Sequence, residues 1–102
     1  MMDSRVFGAI GLSMKAGKCV SGEFAVDKAL QKGNVQLLVL DTETSELTKK
    51  KFKDASLYKN IGLVYVENAG SAIGKPERKI LGITDSNFKN MVLKALNQDS
   101  NN

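Results

Sequence analysis

Apolar residues recur along this chain in two alternating rhythms, one of three to four residues and one of short unbroken runs. Val6, Phe7, Ile10 and Met14 stand at three- and four-residue steps, which predicts a first helix over residues 4–15. Ala16-Gly17-Lys18 ends it, with glycine supplying the left-handed turn that follows a helix. Cys19-Val20 reads as a very short strand before Ser21-Gly22. A second helix is predicted over residues 23–32, burying Val26, Ala29 and Leu30 and stopped by Gly33-Asn34.

Residues 35–40 form a β-branched and leucine-rich run with little polar alternation, the pattern of a central strand covered on both faces. A polar loop over 41–45 leads into a third helix over 45–57, with an expected buried stripe of Leu47, Phe52, Ala55 and, at its margin, Tyr58. Lys49, Lys50 and Lys53 then point largely to water. Residues 63–66 predict a strand, 69–73 a short helix ending at Gly74-Lys75-Pro76, and 80–84 the last strand. Asp85-Ser86 caps a final helix carrying Phe88, Met91, Val92, Ala95 and Leu96 on one face. Residues 1–97 are expected to form the domain, and residues 98–102 a frayed polar tail. Helices and short strands in alternation predict an α/β fold, a three-layer α/β/α sandwich around a small sheet.

Composition narrows the chemistry. The 102 residues suit a single domain, and the lone Cys19 cannot form an internal disulfide. With no histidine in the chain, histidine-based triads, proton shuttles and zinc sets are excluded. The 15 lysines and arginines exceed the 11 acids, giving a net charge of +4 that favours a polyanionic partner. The opening Met1-Met2-Asp3-Ser4-Arg5 is a poor signal peptide. The longest apolar run, over residues 37–40, is far short of the ~20 residues of a membrane span. A cytoplasmic protein is expected.

Residues 11–18 superficially resemble a phosphate-binding loop. Five residues separate Gly11 from Gly17 where that loop needs four, Cys19 replaces its hydroxyl residue, and a helix precedes it instead of a strand. Gly17 is more simply a helix stop. Cys19 has no histidine to activate it and reads as a small buried hydrophobe. Glu43, Glu46, Glu67, Glu77 and Asp85 are scattered without an acid–base pair; Asp85 reads as a helix cap. Neither a catalytic residue, a metal site nor a cofactor is indicated. The run Lys49-Lys50-Lys51 reads as a solvated helix face. The other cations gather at turns: Lys15 and Lys18 before Ser21-Gly22, and Lys75, Arg78 and Lys79 before the last strand, with Lys28 inside the second helix. Glycine at 22 lets the amides of that helix start approach a phosphate. The residues alone lead to an anion site and no further.

Several stretches together resemble a known family: Leu12-Ser13-Met14-Lys15-Ala16-Gly17-Lys18, Val20-Ser21-Gly22-Glu23, Lys28-Ala29-Leu30, Gly33, the strand and loop over 37–45, and Ala72-Ile73-Gly74-Lys75. This looks like the kink-turn RNA-binding ribosomal protein family, in its bacterial branch, and the resemblance extends over about residues 6–96. It implies a four-stranded mixed sheet and recognition of a sharply bent RNA whose bulge is flanked by tandem sheared G·A pairs. The second helix would present its start to the widened major groove, in keeping with the reading of RNA at bulges and distorted helices.

The resemblance puts the glycine before that helix at Gly22 and the helix lysine at Lys28, against phosphate or a guanine acceptor edge. Where many relatives carry a polar pair, this chain has Phe24 and Ala25. Glu23 reads either as an acceptor from guanine N–H groups or as a helix-dipole carboxylate, and Phe24 either as a stacking surface or, preferentially, as a core residue. Thr42 and Glu43 fall near the family's polar contacts to the bulge. Glu77, Arg78 and Lys79 replace apolar side chains of relatives, and the Arg78 guanidinium plane can stack in their place. The expected RNA-binding set is therefore Lys18, Gly22, Glu23, Phe24, Lys28, Thr42, Glu43, Lys75, Arg78 and Lys79.

The first reading is a small bacterial RNA-binding protein, a monomer without a membrane partner, recognising kink-turn-like RNA and associated with the ribosome. A protein-interaction adaptor on the same fold is the alternative; it would show an exposed apolar or acidic patch, whereas cations at three loops favour RNA. A small enzyme acting on a nucleotide lacks any acid–base pair.

Overall fold

The computed structural model describes residues 4–100, with side chains from residue 5 to residue 97. The elements follow in the order α1 (Ser4–Lys15), β1 (Cys19–Ser21), α2 (Glu23–Gln31), β2 (Leu37–Asp41), α3 (Glu46–Lys59), β3 (Gly62–Val66), a 3-10 helix (Ala69–Ile73), β4 (Ile80–Ile83) and α4 (Ser86–Ser100). Every predicted element is present. Helix starts and stops follow local chemistry. Ser45 accepts from Thr48 N–H to cap α3, and Asp85 Oδ2 accepts from Phe88 N–H at 3.1 Å to cap α4. Beyond α1, Gly17 N–H bonds Met14 O and Lys18 N–H bonds Ser13 O, the paired closure of a Schellman turn. The last helix continues to Ser100, past the expected end of the domain at residue 97, and residues 101–102 of the expected frayed tail lie outside the described residues.

The sheet runs in the order β1-β4-β2-β3, with β2 parallel to β3 and β4 antiparallel to both β1 and β2. This is the mixed four-stranded sheet that the resemblance implied. Every residue of β2 and β4 is buried, as the unbroken apolar runs required. The two-residue alternation of strands divides the core into halves. Leu37, Val39, Leu81 and Ile83 face α1, α4 and the 3-10 helix through Val6, Ile10, Ala69 and Val92. Leu38, Leu40 and Ile80 face α2 and α3 through Val26, Leu30 and Phe52.

The third helix departs from expectation. Phe52 and Ser56 are buried, but Leu47 is 82% and Tyr58 87% exposed. At about 100° per residue, Leu47 lies about 140° around the helix from Phe52 and Tyr58 about 120° from it, so one face cannot bury all three. The aromatic ring of Phe52 takes the place against Leu38 and Leu40 with Ala55 packed on the same core, as expected, and only Leu47 and Tyr58 of the expected stripe turn outward.

Candidate nucleic-acid interface

The antiparallel register of β4 decides which loops meet. Its first residues pair with the last residues of both neighbours, Leu81 with Ser21 of β1 and Ile80 with Leu40 of β2. The turn after β1, the loop after β2 and the loop before β4 therefore share one end of the sheet. They carry Gly22, Thr42, Glu43, Lys75, Arg78 and Lys79, and α2 adds Glu23, Phe24 and Lys28. The opposite end holds Lys18, whose carbonyl accepts from Thr84 N–H at 2.9 Å just beyond β4. Four residues of extended chain, roughly 13 Å, separate Lys18 from Gly22. Lys18 thus leaves the expected cluster, because β1 directs its two ends to opposite sides of the molecule.

At the start of α2, Gly22 has φ 95 and no side chain caps the helix. That left-handed backbone suits glycine, which has no Cβ to clash. The loop before β4 reaches the same spot: Nη1 of Arg78 occupies the space that a Cβ on Gly22 would take. The guanidinium thus lies over the helix start, half-exposed, with Glu77 Oε2 3.7 Å from its Nε. A cation and the uncapped N–H groups of a helix start share this spot, where both favour an anion.

Buried groups hold the loops in place. Asp41, 3% exposed, accepts from Glu43 N–H through Oδ1 at 2.8 Å and from Ala69 N–H through Oδ2 at 3.1 Å. Its carbonyl accepts from the Thr44 hydroxyl at 2.6 Å, and its N–H donates to Lys79 O at 2.8 Å. One residue therefore ties together the loop carrying Thr42 and Glu43, the 3-10 helix and the strand entry at Lys79. Gly70 fixes the other side, because any Cβ there would strike the carbonyls of Lys75 and Arg78. Sequence reading placed Asp41 only as the first residue of a polar loop. An aspartate closing an apolar strand and followed two and three residues later by polar residues was the available signal.

Phe24 is 76% exposed, which overturns the preference for a core residue. Val26, Ala29 and Leu30 occupy the inward face of α2, and Phe24, four residues before Lys28, shares its outward face. Lys28 Nζ sits 5.5 Å from the centre of the Phe24 ring, a cation–π pair on the surface. Lys75 and Lys79 are exposed beside Arg78, and Thr42 and Glu43 are exposed at the edge of a hollow shared with Glu67 and Asn68.

Glu23 is held by a lysine that the sequence assigned to a solvated run. Lys51 reaches back from α3 to Glu23 Oε2 at 2.7 Å and to Asp27 Oδ2 at 2.8 Å. The hydrogen bond that Lys51 donates to Asp27, then the one it donates to Glu23, raises the Lys51 pKa above its ordinary value. Lys51 thus braces α2 against α3, while Lys50 pairs with Asp54 along its own helix. As a guanine acceptor, Glu23 would have to share its carboxylate with Lys51. Cys19 is buried, and burial pushes its thiol pKa up despite a hydrogen bond with Ser13, as an inert packing cysteine requires. Among the described residues no group of three or more histidine, cysteine, aspartate or glutamate side chains is arranged to hold a metal ion. Among the same residues no helix is long and apolar enough to cross a membrane.

Residues 4–98 match the model of the Ribosomal protein L7Ae/L30e/S12e/Gadd45 family. The chain belongs to this family. The membership agrees with the non-enzymatic reading of the sequence, and two bacterial relatives agree with the branch of the resemblance. RNA-binding protein YlxQ of Bacillus subtilis is 33% identical over 93 residues, covering 88% of this chain and 93% of that protein. RNA-binding protein YlxQ of Enterococcus faecium is 34% identical over 87 residues, covering 82% and 84% respectively. Among solved structures, a Bacillus halodurans protein of unknown function superposes with a TM-score of 0.86 at 31% identity, over 93% of this chain and 99% of that one. The Giardia lamblia 15.5kD RNA binding protein superposes at 0.74 with 12% identity, over 92% and 83%, which establishes a shared fold. The L7Ae-type fold therefore carries, in this chain, a helix start overlain by Arg78 and framed by three loops.

Proposed function

We propose that this protein binds structured RNA of the kink-turn class, in association with the ribosome, through the sheet end that carries Gly22 and Arg78. The observation that carries the reading is the Arg78 guanidinium lying over the uncapped start of α2. The naming of both YlxQ relatives as RNA-binding proteins supports it. In this reading a phosphate at the bend meets the α2 amides and Arg78, and Lys75 and Lys79 neutralise neighbouring phosphates. Phe24 offers its exposed ring to an unstacked base, with Lys28 beside it for a phosphate or a guanine edge. Thr42 and Glu43 line the bulge. Lys18 has no part in this surface.

Phosphate contacts dominate this set, so the preference for kink-turns over other bent RNA is modest. Gel-shift competition between a kink-turn and a variant lacking its tandem G·A pairs measures it. We expect a preference well below a thousandfold, roughly 4 kcal/mol, and an affinity whose logarithm falls linearly with log salt. Failure to bind the kink-turn, or binding equally tight from low to high salt, overturns the reading.

A further inference from the structure

We propose that the outward face of α3 is a self-association surface on which a second copy of this chain packs antiparallel about a two-fold axis. Leu47, Leu57 and Tyr58 are 82%, 72% and 87% exposed. At about 100° per residue they fall, with Lys50 and Asp54, within one stripe about 100° wide, on the side opposite buried Phe52 and Ser56. Three large apolar side chains on one turned-out stripe are more than scattered surface hydrophobes.

The order of residues in the stripe names the occupant. Position 52 is midway between Leu47 and Leu57 and also midway between Lys50 and Asp54. A two-fold axis at that level sets Leu47 level with Leu57 of the second copy, and Lys50 level with Asp54, at both ends of the seam. Such a surface is complementary to itself, the requirement of an isologous contact. Beside Leu47 a groove of about 370 Å³ opens between α2 and α3, lined by Glu23, Leu47, Thr48, Lys50, Lys51 and Asp54, where the incoming leucine seats. The Lys50–Asp54 pair, 3.0 Å apart, leaves the centre of the stripe without net charge, which suits another copy better than a polyanion. A single helix pair is a small contact, so the association is weak and concentration-dependent.

Sedimentation of the full chain tests this. The weight-average mass should rise towards twice the chain mass between about 10 μM and about 1 mM, the range of a small transient interface. Lys50→Glu fills the seam with carboxylates and Asp54→Lys fills it with ammonium groups, so each variant alone should stay monomeric. Circular dichroism checks that both remain folded. An equal mixture sets acid against base at both places and should restore the dimer, which contacts within one helix cannot explain. A wild-type chain that stays monomeric at the highest concentration, or a mixture no heavier than its components, overturns the proposal. So does a monomeric wild type whose Leu47→Glu variant loses RNA in the gel shift, which would give the face to RNA.

Discussion

The strand β4 is only four residues long, yet its two ends differ in what they organise. At its start, three loops converge, two of them locked by Asp41 and Gly70, and their surface carries Lys75, Arg78 and Lys79. At its finish, Lys18 stands beside Thr84 with a backbone hydrogen bond and without those companions. Similar cations have different prospects at the two ends because antiparallel pairing gathers the exits of β1 and β2 at one end only. A cation gains strength as a binding group when buried hydrogen bonds hold its neighbours in register with it.

The sharpest way to break this contrast is Asp41→Ala. It leaves the N–H groups of Glu43 and Ala69 without their carboxylate acceptor, and the buried one is costly to leave unpaired. Urea denaturation should show a loss of about 3 kcal/mol, whereas Lys18→Ala should move the midpoint little. An Asp41→Ala protein as stable as wild type would show that the loops hold themselves without this residue.

Arg78→Ala comes next. Removing the guanidinium from the start of α2 should weaken kink-turn binding by about 2 kcal/mol, the scale of a charge-assisted contact. Lys18→Ala should leave it within a factor of two or so, since a remote surface charge acts only through screened water. Equal losses in a binding titration would place RNA across both ends of the sheet.

Phe24→Ala distinguishes a platform from a packing residue. With the ring exposed, stability should hold within about 0.5 kcal/mol, while RNA affinity falls by about 1–3 kcal/mol, the range for stacking of one base on an aromatic ring. A large drop in stability instead would return Phe24 to the core.

The smallest expected effect belongs to the Lys51 brace. Its ion pairs are half-exposed, so Lys51→Ala should cost about 0.5 kcal/mol, and less in high salt. The Lys51 pKa is raised in the folded chain above the ordinary 10.5. The stabilisation is therefore complete below the unfolded pKa and is lost as pH rises through the folded one. Wild type and Lys51→Ala should converge in stability only above about pH 10.5, on the ordinary lysine scale. Convergence already near neutral pH would mean that Lys51 does not brace α2.

Element order, the buried face of α2 and the Asp85 cap were legible in the linear chain, since each depends on the spacing of near neighbours. Val26, Ala29 and Leu30 announce the buried face of α2, and the runs at 37–40 and 80–83 announce fully covered strands. The anion-binding character of the Gly22 turn was visible too, because glycine before a helix is a local signal. The role of Asp41 was not, as its partners at Ala69 and Lys79 are distant in sequence and only folding sets them beside it.

The same division explains the corrections. Periodicity states that α3 has an apolar stripe, but which of two stripes faces inward depends on what the sheet offers it. Phe52 fits over Leu38 and Leu40, so Leu47 and Tyr58 turn to water. Phe24 likewise reads as apolar and hence buried, until Val26, Ala29 and Leu30 take all the room beneath α2. Lys51 finds Glu23 and Asp27 only once α2 and α3 lie side by side. Local spacing sets an element's type and its possible faces within about a turn of chain. Long-range packing then chooses among those faces, because buried volume can be filled only once.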